Sequence, residues 1–451
     1  MGDGGLRLLL VALNVSLLFS VQFVLITRSR SRNFSKFGGS KWELPNIELT
    51  QVTQLCDSLQ IFDYWTDASP DSQATLFKGI RLDNNNDIDN LIQGARKCVL
   101  IHGLCEILAD MPSISHLVDA CNKIDATADT ATTATNGTGN NATIYHNKIS
   151  VCKIDNPYVT KQEIQSMLSQ LSTTKLDRFV DLTSQFPECN ELRLYVYKER
   201  ILLGKHLVKG IAAPKRNECH DPLPILSSYR RNRNGILKDF AINALSLEGL
   251  STAMEIEIGL FMVNLGLQCN QANVTVVDPF CGSCLLLLAA AVQCCNATLI
   301  GVDYALTHVT MGHIHSNFRK HNFKSPLLYN CSAEKLLEND KIQSVDAIVT
   351  DIPYEMKVQF LSEEEEVVVE SAISKQAKVD SSVKLLMSIA NKLLRSRGRL
   401  VFFYPVRLLH GKYSDSLQQM LQSFPQLTLL HCIPQDMSAT FRRYLVVLER
   451  V

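Results

Sequence analysis

Apolar and polar residues along this chain follow two regimes. From Val274 onward, apolar runs of strand length alternate with segments of helical periodicity, a pattern that predicts a parallel sheet covered by helices on both faces. Strands are expected at 274–278, 298–303, 346–351 and 398–404, and helices at 283–295, 305–322 and 378–395. The last two apolar runs, 427–433 and 443–451, read as an antiparallel hairpin closing one edge. An amphipathic run, 252–267, leads into the first strand.

Upstream the pattern is mixed and predicts a smaller α+β region. A short apolar run at 98–102 lies between helical patterns at 91–96 and 114–123. A strand-like alternation at 143–155 is followed by Thr160-Lys161-Gln162-Glu163, a capping box that opens a helix through Leu171. A strand pair is then expected at 192–197 and 200–203. Residues 124–143, rich in Thr, Ala, Asn and Gly, carry too little apolar surface to order themselves and read as an insert. The expected division is an apolar and basic extension at 1–40, an α+β region at 41–220, a connector at 221–250 and an α/β domain at 251–451.

Composition narrows the partners. Lys plus Arg and Asp plus Glu number 45 each, so any nucleic acid must be held by local basic patches. Lys205, Arg230, Arg231 and Arg233 are the candidate phosphate contacts. The cysteines lie in apolar runs without the spacing of a secreted scaffold, which points to reduced thiols and a cytoplasmic protein. Residues 8–26 are uncharged and flanked by Arg7, Arg28 and Arg30, a length that would reach across a bilayer. Asn14, Ser16, Ser20 and Gln22 interrupt that stretch, and a buried strand or helix pair, or an extension peculiar to this chain, is the favoured alternative.

Open α/β sheets bind ligands at the carboxyl ends of their strands. Three expected strands end there in a carboxylate: Asp278, Asp303 and Asp351. After Asp278 the chain turns through Pro279-Phe280-Cys281-Gly282, where Gly282 permits a sharp turn and a close backbone approach. Neither Gly-x-x-x-x-Gly-Lys-Ser/Thr nor Gly-x-Gly-x-x-Gly is present, so an adenosyl group with a zwitterionic tail fits better than a nucleotide phosphate or a dinucleotide. Asp303 stands where an acidic group accepts ribose hydroxyls. After Asp351 come Ile352, Pro353 and Tyr354. There a carboxylate and the Ile352 carbonyl would accept hydrogen bonds from an exocyclic base amine, while Tyr354 stacks on the base.

These motifs together resemble the catalytic subunit of the tRNA guanosine-10 N2-methyltransferase, a THUMP-domain enzyme. The likeness extends over most of residues 42–451 and includes Trp42-Glu43-Leu44-Pro45, Leu203-Gly204-Lys205-His206, Thr252-Ala253-Met254-Glu255, Gly398-Arg399-Leu400 and Arg442-Arg443-Tyr444-Leu445. The resemblance implies an RNA-binding N-terminal half and a Rossmann-like class I methyltransferase that uses S-adenosylmethionine. It further implies a small zinc-binding activator subunit as partner and tRNA as substrate. Thr252, Asp278, Phe280, Gly282, Asp303 and Ser332 would then hold the cofactor, and Asp351, Pro353 and Tyr354 would form the catalytic loop. The chain departs from the family at Cys284, where a second Gly is usual, and at Ile352 and Glu355 in a motif that reads Asp-Pro-Pro-Tyr-Gly. A side chain at 284 is expected to crowd the methionine portion of the cofactor. Adenine N6 as acceptor, and an RNA-binding homologue without turnover, are the competing expectations.

Overall fold

The computed structural model describes residues 22–27, 36–37, 43–53, 59–63, 77–82, 87–128, 149–154, 160–172, 174, 176–184, 191–198, 200–209, 254, 256–267, 273–320, 322–353, 365–407, 416–438 and 441–451. In chain order the elements are β1 (Gln22–Thr27), α1 (Glu43–Thr53), β2 (Leu59–Asp63), β3 (Phe77–Leu82), α2 (Ile88–Lys97), β4 (Ile101–Met111), α3 (Ile114–Ala128) and β5 (Ile149–Ile154). Next come α4 (Lys161–Ser172), α5 (Leu176–Thr183), β6 (Leu192–Tyr197), β7 (Arg200–Lys209), α6 (Ile256–Gly266), β8 (Thr275–Asp278), α7 (Leu285–Gln293), β9 (Thr298–Val302) and α8 (His308–Lys320). The chain ends with β10 (Leu327–Tyr329), a 3-10 turn (Ala333–Leu337), β11 (Val345–Asp351), α9 (Glu365–Leu393), β12 (Leu394–Arg407), α10 (Ser416–Gln422), β13 (Leu427–Ser438) and β14 (Phe441–Arg450).

The chain divides into two compact units. The first comprises Met1–Ser29, Leu55–Arg96 and Leu100–Ala213, and the second Arg30–Gln54, Lys97–Val99 and Pro214–Val451. The first unit has a seven-stranded sheet in the order β2-β3-β1-β4-β7-β6-β5. Strand β1 is the end of the apolar stretch at 8–26 and pairs antiparallel with both β3 and β4, so that part of the stretch supplies an interior strand. No described helix is long and apolar enough to cross a membrane. The expected capping box forms: Glu163 N–H donates to Thr160 Oγ1 at 3.2 Å, and Thr160 N–H donates back to Glu163 Oε2 at 2.6 Å. Leu117, Cys121, Leu171, Phe179 and Val180 pack with Leu108, Leu194 and Leu203 as one core.

The expected phosphate contact at Lys205 is corrected by this sheet. Lys205 is fully buried on β7, in register with Glu106 on β4, which is itself buried and accepts a 2.7 Å hydrogen bond from Ser184 Oγ. A lysine enclosed at that depth faces the protein interior and is withdrawn from any phosphate.

The second unit is the α/β domain, with sheet order β10-β9-β8-β11-β12-β14-β13. Adjacent strands from β10 through β12 run parallel, and β14 is antiparallel to both β12 and β13. Numbered within the unit, the order is 3-2-1-4-5-7-6 with the seventh strand reversed. Period-two alternation separates the faces. Ile348, Leu400 and Phe402 share a core with Val383, Leu386, Met387 and Ala390 of α9. On the other face a Cβ at Gly266 of α6 would come within 3.0–3.5 Å of Val349, Ala347 and Val401.

Residues 30–54 join this unit, although the sequence pattern assigns 41–54 to the upstream domain. Glu48 of α1 is fully buried, and its Oε1 accepts hydrogen bonds from Val99 N–H and Asn264 Nδ2, both at 2.7 Å. Phe37 packs edge-on to Phe261 at 6.5 Å between ring centroids and lies 6.4 Å from Phe403.

Candidate functional site

The site forms where the strand order turns back, because β8 is flanked by β9 on one side and β11 on the other. Their carboxyl ends carry the three aspartates found in the sequence. Asp278 ends β8 and is 2% exposed, and its Oδ1 accepts from Phe280 N–H at 3.1 Å and from the Thr350 hydroxyl at 2.6 Å. Burial pushes its carboxyl up to about 7, opposed by those two hydrogen bonds and aided by the like charges of Asp303 and Asp351.

The turn after Asp278 is set by backbone conformation. Gly282 has φ +47°, and a Cβ built on it would meet nothing within 4 Å, so the loop presents bare backbone to open space. Gly282 N–H donates to Asp303 Oδ2 at 2.9 Å, and Ala305 N–H donates to Asp303 Oδ1 at 2.9 Å. Asp303 therefore ties the β8 and β9 loops together and keeps lone pairs for a further donor. At Gly301 a Cβ would lie 2.9 Å from Cys281 Sγ, which keeps that strand position small.

Cys284 takes a left-handed conformation, φ 63°, immediately before α7. Its side chain is fully buried beside Cys281. The thiol points into the protein, which corrects the expectation that it crowds a ligand in the loop. A thiol occupies a backbone conformation that glycine ordinarily supplies.

Asp351 ends β11. Its Oδ1 is buried with no hydrogen-bond partner among the described residues, and its Oδ2 lies 3.8 Å from Arg443 Nη1. Burial raises this carboxyl to about 6, with the Arg443 guanidinium pulling the other way. Beyond it the Ile352 side chain is buried in the α9-side core, and Pro353 is exposed. Ser332, exposed, begins the 3-10 turn after β10, and its hydroxyl hydrogen-bonds Glu334.

The structure thus brings Asp278, Phe280, Gly282, Asp303 and Asp351 to neighbouring strand ends of one sheet. That order, with its reversed seventh strand, defines the domain. The second unit has a Rossmann-like class I methyltransferase fold. Within this methyltransferase fold, Thr252, Tyr354, Arg230, Arg231 and Arg233 lie outside the described residues. Pattern reading missed Thr350, the donor to Asp278, and Arg443, which faces Asp351. It also missed Tyr304, 77% exposed and next to Asp303. Only adjacence to a strand-end aspartate could have flagged Thr350 and Tyr304.

No family model matches the chain, and no curated relative matches it. Among solved structures, TrmN from Thermus thermophilus is 15% identical with a TM-score of 0.39, covering 95% of this chain and 100% of that one. SMU.472 complexed with SAH is 10% identical, TM-score 0.37, covering 95% and 98%. P. horikoshii TYW2 in complex with MeSAdo is 11% identical, TM-score 0.30, covering 45% and 66%. Similarities this distant transfer no function, and the fold follows from the chain's own strand order.

Proposed function

We propose that this protein is an S-adenosylmethionine-dependent methyltransferase acting on the exocyclic N2 amine of a guanosine in tRNA, with position 10 the target the family resemblance suggests. The observation that carries the reading is Asp351: a strand-end carboxylate with one buried, unpartnered oxygen, beside a loop whose bare glycine backbone and two further aspartates suit an adenosyl ligand.

The residues present fit that cofactor. Open space over Gly282 accommodates a ligand against the backbone, Asp303 retains acceptor capacity for ribose hydroxyls, and Asp278 and Phe280 complete the loop. When bound, S-adenosylmethionine supplies an electrophilic methyl group on a sulfonium. The protein's own contribution is positioning and electrostatics. The Asp351 carboxylate would accept an N–H of the amine, orient its lone pair and balance the positive character that develops on nitrogen, the proton released as the N–C bond replaces the S–C bond passing to Asp351 or to water. The Ile352 carbonyl and the Tyr354 ring are assigned the second hydrogen bond and the stacking. The pairing edge of guanine offers N–H donors at N1 and N2, which suits an acceptor-only carboxylate better than adenine's mixed edge does.

The first unit is assigned the THUMP-like RNA-binding role, with Arg230, Arg231 and Arg233 as phosphate contacts. The partner is a small zinc-binding activator subunit, and the compartment is the cytoplasm. The test is incubation of the full chain, alone and with such an activator, with unmodified tRNA and S-adenosylmethionine, followed by nucleoside mass spectrometry. N2-methylguanosine, lost by about 10²–10³-fold in Asp351→Asn, is the expected result. N6-methyladenosine would move the acceptor to adenine, and cofactor binding without any product would make the chain a non-catalytic RNA-binding homologue.

A further inference from the structure

The carboxylate that the proposed reaction relies on is held from across the sheet. Asp351 on β11 is in register with Phe403 on β12, Phe403 with Leu445 on β14, and Arg443, two residues before Leu445, faces Gln435 on β13. Period-two alternation therefore puts Asp351, Phe403, Arg443 and Gln435 on one face of four adjacent strands, the Arg443–Gln435 pair two residues along from the Asp351–Phe403 row. The guanidinium of Arg443 lies 3.8 Å from the centroid of the Phe403 ring, and its Nε donates to Gln435 Oε1 at 2.5 Å. Held by these two contacts, Nη1 stops 3.8 Å from Asp351 Oδ2, beyond hydrogen-bond length, while Oδ1 is enclosed with no hydrogen-bond partner among the described residues.

We infer that Arg443 is a positioning residue for methyl transfer: its guanidinium, fixed 3.8 Å from Oδ2 and out of hydrogen-bond reach, keeps the part-buried Asp351 carboxylate ionised without tying it up in a bidentate pair. The inference rests on the proposed role of Asp351 in catalysis. The geometry matters because an arginine free to close on the carboxylate would form a bidentate pair and compete with substrate. The aromatic shelf and the glutamine prevent that closure. The charged groups around Asp351 among the described residues are Arg443 from β14 and Asp278 from β8, with Asp303 beyond Asp278. Burial opposes its ionisation and the Arg443 guanidinium favours it. Burial already raises this carboxyl, so losing the guanidinium moves its titration further into the neutral range.

The test has two readouts. In the first, the Asp351 carboxyl of the full chain is titrated by carbon NMR, assigned with Asp351→Asn. Arg443→Met is expected to raise its midpoint by about one pH unit or more, and Arg443→Lys to restore part of the shift. In the second, the pH profile of methyl transfer by Arg443→Met is expected to move its acidic limb upward with the carboxyl, kcat falling more than KM rises. If Arg443→Met does not fold, Gln435→Leu serves instead: releasing the guanidinium onto Oδ2 lowers the Asp351 midpoint and slows transfer. An Asp351 midpoint unmoved by these changes, or activity reduced equally at every pH, overturns the inference. Wild-type protein that shows the NMR shift without methyl transfer leaves the pairing intact and removes the proposed reaction.

Discussion

Thr350 donates its hydroxyl hydrogen to Asp278 Oδ1 across 2.6 Å, joining β11 to β8 at the point where both strands open into loops. Thr350 is fully buried and directly precedes Asp351, so one hydrogen bond couples the loop assigned to the cofactor with the loop assigned to the acceptor. Thr350→Val keeps the shape and removes the donor. The variant should lose about 1–3 kcal/mol of stability in urea denaturation, and a loss below about 0.5 kcal/mol would show that the bond is dispensable.

Asp278 is expected to cost stability at neutral pH. Its folded carboxyl, about 7, lies above the ordinary unfolded value near 4, so the folded state holds the proton more tightly. Its stabilising contribution is complete below about pH 4 and is lost as pH rises through about 7. Asp278→Asn keeps an oxygen for Phe280 N–H and the Thr350 hydroxyl without the buried charge. It should be more stable than the wild type above pH 7, by roughly 1–4 kcal/mol, while binding S-adenosylmethionine more weakly in calorimetry. Equal melting temperatures from pH 4 to 8 would contradict the raised carboxyl.

Gly282 separates backbone strain from ligand exclusion. Its φ of +47° makes Gly282→Ala lose about 1–2 kcal/mol. Because no protein atom lies within 4 Å of the new Cβ, any loss of cofactor affinity beyond that strain comes from the methyl entering ligand space. Affinity measured by calorimetry should fall more than tenfold in Gly282→Val.

Cys284→Gly relieves a left-handed side chain and gives up a buried thiol, two effects of about 1 kcal/mol with opposite sign. Stability within about 1 kcal/mol of the wild type and undiminished cofactor binding are expected. Cys284→Val, β-branched at the same φ of 63°, should be destabilised by more than about 2 kcal/mol in the same denaturation series.

Glu48→Ala strands the buried Val99 N–H and removes one of two acceptors of Asn264 Nδ2, which keeps the Lys97 carbonyl at 3.0 Å, and should cost about 1–3 kcal/mol. Asn264 sits on α6, so the loss should appear as unfolding of the second unit in hydrogen exchange.

Local signals made the second unit legible. The strands ending at Asp278 and Asp351, the intervening turn and the closing hairpin follow from burial period and turn chemistry, which a sequence window contains. The window failed at particular places. Strand β10 has three residues, too few for a period, and the start expected for α9 at 378 falls well short of its beginning at Glu365, because the β-branched Val367–Val369 run carries low helix propensity. Of the uncharged stretch 8–26 only 22–26 is described, and there it is an interior strand, because apolar length does not distinguish a lipid environment from a sheet interior.

By itself the sequence determined that three carboxylates stand at strand ends and that a glycine turn separates two of them, because those features depend on neighbours within a few residues. Tertiary structure decided which strand ends meet, that Lys205 is enclosed beside Glu106 instead of exposed to phosphate, and that Arg443 reaches Asp351 over the Phe403 ring. Strand pairing brings together residues remote in sequence, and alternation specifies which face a side chain takes but not the strand it will lie beside.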